Sequence, residues 1–372
     1  EDGLELVGTK GLASVGKSFL WEKINASEQQ HFYDDHPGYG SIMPLGTDPL
    51  TDGELKFILH WILEGAPEHG TVARVSDLAD TQRYSPPPFK ALDKPKNGIQ
   101  LHVEPFDVPP NFEREFFMYK NLNNRSPIYV NRVQIEMRPG SHHFIGYLLD
   151  SSRPLFSLAK RLFVPNRIRD LHLPNGDDDP LVLASMNYHN FFAGTQTPRF
   201  DYEFPKGVAL RLPANTGLDL NTHYVNRGEE AFEGEVYMNL HTIEKADVEH
   251  EAKIINFNST DIELPPNKIT TLTRDFRATE KMNIFQLFSH SHEKTVEFRV
   301  EIAGGNRDGE LLYISYDWEH PPVMKFDPPL VVKRGETIRL KATYDNWTDE
   351  TVTFGLRSTD EMMILFGAYY AD

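Results

Sequence analysis

The 372-residue chain contains no cysteine, and this absence excludes two arrangements at once. Without cysteine there is neither a disulfide framework nor a Cys-x-x-Cys-His attachment site for haem. Long apolar runs are also missing, since the longest stretch, residues 362–371, falls short of the roughly 18 residues that cross a bilayer. We therefore expect no transmembrane helix, and at the acidic start of the chain no remaining signal peptide.

Basic residues are scarce: 38 lysines and arginines face 55 acidic residues, which gives a net charge of −17. Such an excess of negative charge argues against a nucleic-acid partner and against binding to anionic lipid surfaces. The length predicts two to three domains. Stretches rich in proline, glycine or charged residues mark the boundaries between domains. We predict a helical domain over residues 1–84, a proline-rich linker over 85–97, and two β domains over 98–243 and 252–372.

Both β domains are predicted to be antiparallel β-sandwiches in series, so the fold class is mainly β. Apolar residues alternate with polar ones in the candidate strands, as in residues 338–344, where Ile338 and Leu340 are separated by Arg339. Period-2 alternation is typical of strands with one face in the core.

Histidines and one methionine form an ordered series in these strand-like segments. Neutral imidazole together with a soft thioether suits copper, in both of its oxidation states, better than zinc, calcium or magnesium. The series consists of a pair, a single histidine, a second pair and a methionine: His142, His143, His223, His290, His292 and Met362. Each pair alone is a weak signal, because 15 histidines produce pairs by chance.

Strand periodicity predicts where these side chains point. His223 alternates with Leu220 and Tyr224 and so leaves the core face, while His290 and His292, two residues apart, share a face. Neighbouring residues such as His142 and His143 point to opposite faces, so both can reach one ion only where the strand ends or bulges. The preceding Pro139 and Gly140 permit such a break.

With these motifs, residues 98–370 resemble the type II copper, ascorbate-dependent monooxygenases, the family of peptidylglycine α-hydroxylating and dopamine β-monooxygenases. The matching segments are the His-His motif, residues 207–215 with 218–224, the His-x-His motif at 288–292, residues 334–346, and 358–362 with its methionine. The resemblance implies one copper at His142, His143 and His223 that accepts electrons. It implies a second copper at His290, His292 and Met362, the catalytic residues, where dioxygen is activated.

That resemblance implies an enzyme that hydroxylates an aliphatic C–H bond of a small-molecule substrate, with dioxygen and an ascorbate-like reductant or redox protein as electron donor, outside the cytoplasm. The chain departs from the family at three positions. Phe288, Ile364 and Phe366 stand where peptide-binding members have an arginine, an asparagine and a tyrosine. A glycine-extended peptide is therefore not expected as substrate, and the surroundings of the second copper should be apolar.

The N-terminal segments 18–26, 40–46 and 50–67 resemble the later part of a small bacterial c-type cytochrome domain. In that family the methionine of the Met-Pro motif, here Met43, binds haem, and Thr51 caps the final helix. Haem is a possible cofactor although its attachment motif is absent. We favour a domain that has lost its haem; a chain that lacks its start is the alternative, and a plain helical cap with Met43 in a turn is the simplest reading.

Two functions thus remain open on the sequence. The first, and the leading hypothesis, is the copper monooxygenase. The second is a secreted structural or partner-binding protein that retains the fold and one metal site. The missing haem motif, the missing cysteines and the altered substrate positions favour the second.

Overall fold

The computed structural model describes residues 6–9, 15, 18–28, 42–44, 48–85, 88–173, 175–226, 228–316, 318, 321–357 and 359–371. The chain divides into two compact units. The first comprises Glu1–Pro88 with Ser315–Pro322, and the second comprises Phe89–Ile314 with Val323–Asp372.

The described part of the first unit is helical and short. It contains helices α1 (Phe19–Ile24) and α2 (Asp52–Leu63) and two 3₁₀ helices, Ala26–Glu28 and Val75–Ala79. The predicted cap of α2 is confirmed: Thr51 Oγ1 accepts a hydrogen bond from the Glu54 N–H, and the Glu54 carboxylate accepts one from the Thr51 N–H. This reciprocal pair is a capping box, which satisfies two N–H groups at the start of the helix.

The expectation of a cytochrome-like domain finds no support in this unit. Helix α2 buries only Gly53 and Ile62, and the side chain of Met43 is 41% exposed, whereas a haem ligand needs an apolar cleft around it. The described residues therefore fit haem poorly. Of the predicted Met-Pro segment, residues 40, 41 and 45–46 lie outside the described residues, and so does most of the region between α1 and α2.

The second unit is built from β-sheets, the largest of which has nine strands. Their order is β1-β10-β3-β8-β11-β20-β14-β17, with β7 also paired to β3. These strands are β1 (Gly98–Val108), β3 (Ile128–Met137), β7 (Arg199–Glu203), β8 (Val208–Leu212), β10 (Phe232–Ile243), β11 (His250–Ser259), β14 (Met282–His290), β17 (Met324–Val332) and β20 (Met363–Tyr370). The β8 and β11 pair is parallel and joins the earlier strands of the sheet to the later ones.

Three smaller sheets complete this unit. The five-stranded sheet, ordered β5-β2-β9-β4-β6, consists of β2 (Phe112–Asn121), β4 (Ser141–Leu149), β5 (Ile168–Asp170), β6 (His189–Thr195) and β9 (Gly217–Asn226). The four-stranded sheet, ordered β13-β18-β15-β16, consists of β13 (Lys268–Arg277), β15 (Thr295–Ala303), β16 (Leu311–Ser315) and β18 (Thr337–Asn346). The two-stranded sheet pairs β12 (Glu263–Leu264) with β19 (Val352–Thr353).

Short helices lie between some of these strands. They are α3 (Phe156–Ala159), α4 (Pro180–Met186) and the 3₁₀ helices Lys160–Leu162, Lys245–Asp247 and Gly305–Arg307. None of the helices within the described ranges is long and apolar enough to cross a membrane.

Apolar side chains bury two main cores between sheets. One core joins the earlier strands of the nine-stranded sheet to the five-stranded sheet, with Val133, Phe144 and Leu220 at its centre. The other joins β14 and β20 to the four-stranded sheet, with Ile284, Leu340 and Leu365 at its centre. The mainly β fold class with sandwich-like sheets is thus confirmed. The histidine-bearing strands β4 and β9 belong to the five-stranded sheet, whereas β14 and β20 belong to the nine-stranded sheet.

Candidate metal centre

A β-bulge brings the first two histidines together. Where β4 pairs with β9, Ser141 lies opposite Tyr224 but His143 lies opposite His223, so the register shifts at His142. The predicted irregularity is confirmed, and Gly140 before it has a φ of 89°, which glycine adopts without strain. The extra residue turns the His142 side chain toward the face that carries His143 and His223.

Three imidazole nitrogens converge at this bulge. His143 Nδ1 lies 3.2 Å from His142 Nδ1 and 3.4 Å from His223 Nδ1. Nitrogen ligands held at about 2.0–2.1 Å around a tetrahedral ion lie roughly 3.3–3.4 Å apart. Within the described residues these three are the set of histidine and acidic side chains close enough to share one ion. The donor atoms therefore fit a first-row metal ion.

The opposite edges of two of these rings are already engaged. His143 Nε2 lies 2.6 Å from Asn221 Oδ1, and His223 Nε2 lies 2.8 Å from Glu113 Oε1. Both oxygens accept, so each Nε2 carries the proton that it donates, which leaves each neutral ring an Nδ1 lone pair. Hydrogen bonds of this kind fix the tautomer and orientation of metal-binding histidines.

A buried carboxylate sets the charge around the cluster. Glu115 Oε1 accepts a hydrogen bond from Asn221 Nδ2 at 2.9 Å and lies 3.7 Å from His143 Nε2. Burial raises the pKa of Glu115, but the neighbouring His223 and His143 outweigh it and lower the pKa to about 2. In return, burial lowers the pKa of His223, and the carboxylates of Glu115 and Glu113 raise it above its usual value. A negative charge next to the nitrogens favours a cation between them.

The second histidine pair is also brought together, at the end of β14. The rings of His290 and His292 lie 5.3 Å apart between centroids. His290 Nδ1 lies 3.2 Å from Gln196 Oε1, and His292 Nδ1 lies 3.2 Å from the carbonyl oxygen of Asp360. Burial, with the neighbouring histidines, holds the pKa of His290 well below its usual value, and burial lowers that of His292 to about 4. Both rings therefore stay neutral and keep an Nε2 lone pair.

The backbone places Met362 beside His292. The antiparallel pairing of β14 with β20 ends where His290 lies opposite Ile364, and His292 and Met362 each lie two residues beyond this pair. One oxygen of Glu361 accepts hydrogen bonds from the N–H groups of both His292, at 3.0 Å, and Met362, at 3.1 Å. The next methionine, Met363, is buried in the core under the four-stranded sheet, as expected for the neighbour that points the other way.

Glu361 is itself fully buried and acts as a strap. Its second oxygen accepts a hydrogen bond from the Lys294 N–H at 2.7 Å. Burial raises the pKa of this carboxyl to about 7, although the three backbone N–H groups act in the opposite direction. The strap ties the segment after β14 to the segment before β20.

The two histidine sets form one continuous cluster. The ring centroids of His143 and His290 lie 6.2 Å apart, so the two sets are neighbours. Because His143 comes from the five-stranded sheet and His290 from the nine-stranded sheet, the cluster spans both sheets. His143, His223, His290 and His292 are all buried.

Aromatic packing surrounds the second pair. Phe288 and Phe366, at the positions that depart from the peptide-binding pattern, pack with Phe191 in a separate apolar cluster. The Phe191 and Phe366 rings lie 4.2 Å apart, and Phe366 lies 6.5 Å from the His290 ring. Apolar rings thus lie on one side of His290, and apolar surroundings of a second copper stay a prediction.

A buried ion pair lies next to the first set, on the same strand. Arg169 Nη2 donates to both oxygens of the fully buried Asp219, at 2.5 and 2.6 Å, and His189 Nε2 lies 2.8 Å from one of them. His189 also stacks on Tyr147 at 4.6 Å between centroids. His189 therefore holds the Asp219 carboxylate in place together with Arg169.

Sequence reasoning missed the residues that hold the ligands in place. Asn221 alternates with His223 on β9, and Glu113 and Glu115 alternate on β2, so strand periodicity could have placed them on the histidine face. Gln196 follows β6, and its contact with His290 depends on how the two sheets pack, which no local pattern encodes.

Comparison with known proteins gives no family. No family model matches the chain, and no curated protein matches it. Solved structures that resemble it include the major capsid protein P2 of bacteriophage PM2, with 8% identity, a TM-score of 0.26 and coverage of 74% of this chain and 98% of that one. Another is VP54 of PBCV-1, with 7% identity, a TM-score of 0.24 and coverage of 76% of this chain and 95% of that one. A third is the PBSX exported protein XepA, with 8% identity, a TM-score of 0.20 and coverage of 88% of this chain and 99% of that one. Likenesses of this size carry no argument about what the chain does.

These comparisons correct the family expected from the histidine motifs. Neither a family model nor a curated protein links the chain to the copper monooxygenases. The assignment to that family is wrong, and with it the hydroxylating function, the oxidoreductase class and the cytochrome-like domain. Short histidine motifs on strands specify a geometry of ligands, and unrelated β folds can produce the same geometry.

Proposed function

We propose that this chain is a structural or partner-binding β protein in which copper, bound at the histidine cluster, braces each of the two histidine-bearing sheets. The observation that carries the proposal is the convergence of three Nδ1 atoms at 3.2 and 3.4 Å, with Asn221 and Glu113 on the opposite edges of two rings. The hydrogen bonds on the opposite edges leave the Nδ1 lone pairs of His143 and His223 facing each other at 3.4 Å, an arrangement that a cation between them stabilises.

In this proposal His142, His143 and His223 hold the first ion. His290, His292 and Met362 would hold a second ion. The thioether of Met362 favours copper in its reduced form. The first ion ties β4 to β9 within the five-stranded sheet, and the second ties the segment after β14 to the segment before β20. Because an ion that binds only the folded chain adds its binding free energy to folding, such a brace stabilises the unit.

The finer architecture belongs to the same proposal. We infer two tandem antiparallel sandwiches, because the two main apolar cores each lie between a part of the nine-stranded sheet and a separate smaller sheet. The histidine cluster would then lie where the sandwiches meet. An extracytoplasmic location remains a prediction.

Metal analysis is the direct test. The purified chain, loaded with copper and then freed of excess ion, should retain one to two ions per chain, and zinc should compete less well at the second set. His223→Ala should lose the first ion, whereas His69→Ala, which removes a largely exposed histidine, should lose none. Retention of no metal by the native chain would refute the proposal.

A second measurement tests the non-enzymatic role. With ascorbate present, the copper-loaded chain should consume dioxygen no faster than its His223→Ala variant at equal total copper. Faster consumption that depends on an added C–H substrate would contradict a purely structural role.

A further inference from the structure

The segment between β4 and β5 is positively charged, whereas the protein as a whole is negatively charged. Residues 151–169 contain five basic residues and no acidic one, in a chain whose net charge is −17. Arg153 pairs with Asp150, and Arg169 is buried with Asp219. The remaining three, Lys160, Arg161 and Arg167, are exposed and form no ion pair with any described residue. Charges are screened beyond about 10 Å in ordinary buffer, so this local excess, rather than the net charge, determines what approaches the segment.

Large aliphatic side chains lie exposed among these cations. Leu155 is 72% and Leu158 is 59% exposed, and Val164 and Ile168 are also exposed. Single exposed apolar residues are normal on a protein surface, but a contiguous group of them marks a site of interaction.

The segment is nevertheless anchored from below. Phe163 is buried, with the guanidinium of Arg169 over its ring at 5.1 Å and the ring of Tyr119 at 6.1 Å. The Tyr188 hydroxyl donates to the carbonyl of Pro154 at 3.0 Å. Aromatic contacts and one hydrogen bond thus hold the segment in place while Leu155 and Leu158 stay exposed.

The backbone is strained where the most exposed leucine stands. Leu155 has a φ of 61°, in the left-handed region that glycine and asparagine adopt at lower cost than leucine. Left-handed backbone at a residue that is not glycine persists only when the surroundings enforce it, and it concentrates at functional positions. A leucine in this conformation, with most of its side chain in water, is explained by a partner that contacts it.

The composition distinguishes between kinds of partner. Protein interfaces are enriched in aromatic residues, methionine and arginine and depleted of lysine, and leucine is rare among their hot spots. Aliphatic side chains flanked by lysine and arginine are instead typical of surfaces that insert into the boundary between lipid headgroups and acyl chains. Lysines and arginines next to such residues attract anionic headgroups.

We propose that residues 153–168 form a lipid-docking segment, which binds the surface of a bilayer that contains anionic phospholipid. Leu155 and Leu158 enter the headgroup region, and Lys160, Arg161 and Arg167 contact the headgroup phosphates. The acidic remainder of the protein is repelled by the same surface, so docking orients the molecule with this segment toward the membrane.

Flotation of the full chain with vesicles tests this proposal. Vesicles of phosphatidylcholine with phosphatidylglycerol should carry the protein, vesicles of phosphatidylcholine alone should carry much less, and added salt should weaken binding. Because each basic residue near an anionic surface contributes a factor of about five in affinity, Lys160→Gln with Arg161→Gln should weaken binding roughly 30-fold. Leu155→Gly with Leu158→Ser should weaken it about tenfold or more, and glycine suits the left-handed backbone, so the fold is kept.

Matched controls lie on β13. Lys268→Gln with Arg274→Gln removes the same charge from exposed positions, and Ile269→Ser removes an aliphatic side chain that is similarly exposed. Both should bind vesicles like the native chain. No binding to anionic vesicles, equal effects of the β13 and segment variants, or binding of the segment to an acidic protein without binding to vesicles would each overturn the proposal.

Discussion

Removal of one histidine should abolish the stabilisation that copper at the first histidine set gives to the folded protein. The perturbation is His223→Ala, which deletes one of the three converging Nδ1 atoms and leaves His142 and His143 3.2 Å apart. The variant also loses the hydrogen bond to Glu113 and the charge that stabilises the buried carboxylate of Glu115, so its metal-free state should unfold at a lower temperature than that of the native chain. The gain from copper is therefore measured for each protein against its own metal-free state.

The copper-loaded state should separate the two proteins. Ligand at 100 times its dissociation constant stabilises a folded protein by about 2.7 kcal/mol, and at 1,000 times by about 4.1 kcal/mol. One kcal/mol shifts the midpoint of a large domain by roughly 2–4 °C, so native protein should gain about 5–15 °C. With two of three ligands left, the first ion is bound too weakly to contribute, and any remaining shift comes from His290 and His292.

Calorimetry with and without chelator measures both effects. His69→Ala, on an exposed surface, serves as the matched control and should gain as much from copper as the native chain. His223→Ala combined with His292→Ala should gain nothing. If copper raised the midpoint of His223→Ala as much as that of the native protein, the three-histidine site would be refuted.

Three further outcomes follow from buried charged groups. Asp219→Ala leaves the Arg169 guanidinium without its carboxylate and should cost about 3–5 kcal/mol in urea unfolding; a loss under about 1 kcal/mol would contradict the buried pair. Burial raises the pKa of Glu235, but hydrogen bonds from neighbours that include His102 outweigh it and lower the pKa below 4.5. A carboxyl whose pKa is lowered by folding contributes stability that is complete above about pH 4.5 and lost as the pH falls below it. The difference in unfolding free energy between the native chain and Glu235→Gln should therefore disappear in acid. A difference that does not change with pH would refute this. Glu361→Ala leaves three buried N–H groups unpaired and should cost about 3 kcal/mol or more, with loss of any second copper; unchanged unfolding would show that the strap is dispensable.

Much of the local structure was determined by short-range rules that can be read from the sequence. Period-2 alternation predicted the β fold class, and the adjacency of His142 and His143 required the bulge that is found at that position. The capping box behind Thr51 and the burial of Met363 follow from equally local patterns. In each case the decisive residues lie within a few positions of each other, so the chain itself fixes their geometry.

Contacts between distant segments were decided only by the tertiary structure. His143 and His290 are separated by most of the second unit, and their rings lie 6.2 Å apart because two sheets pack face to face. The pairing of Glu113 with His223 and of Gln196 with His290 has the same origin. Likewise, net charge predicted no affinity for anionic lipid, whereas the fold buries Arg169 and leaves Lys160 and the leucines beside it exposed. Periodicity encodes the face on which a side chain lies, but only packing determines what that face meets.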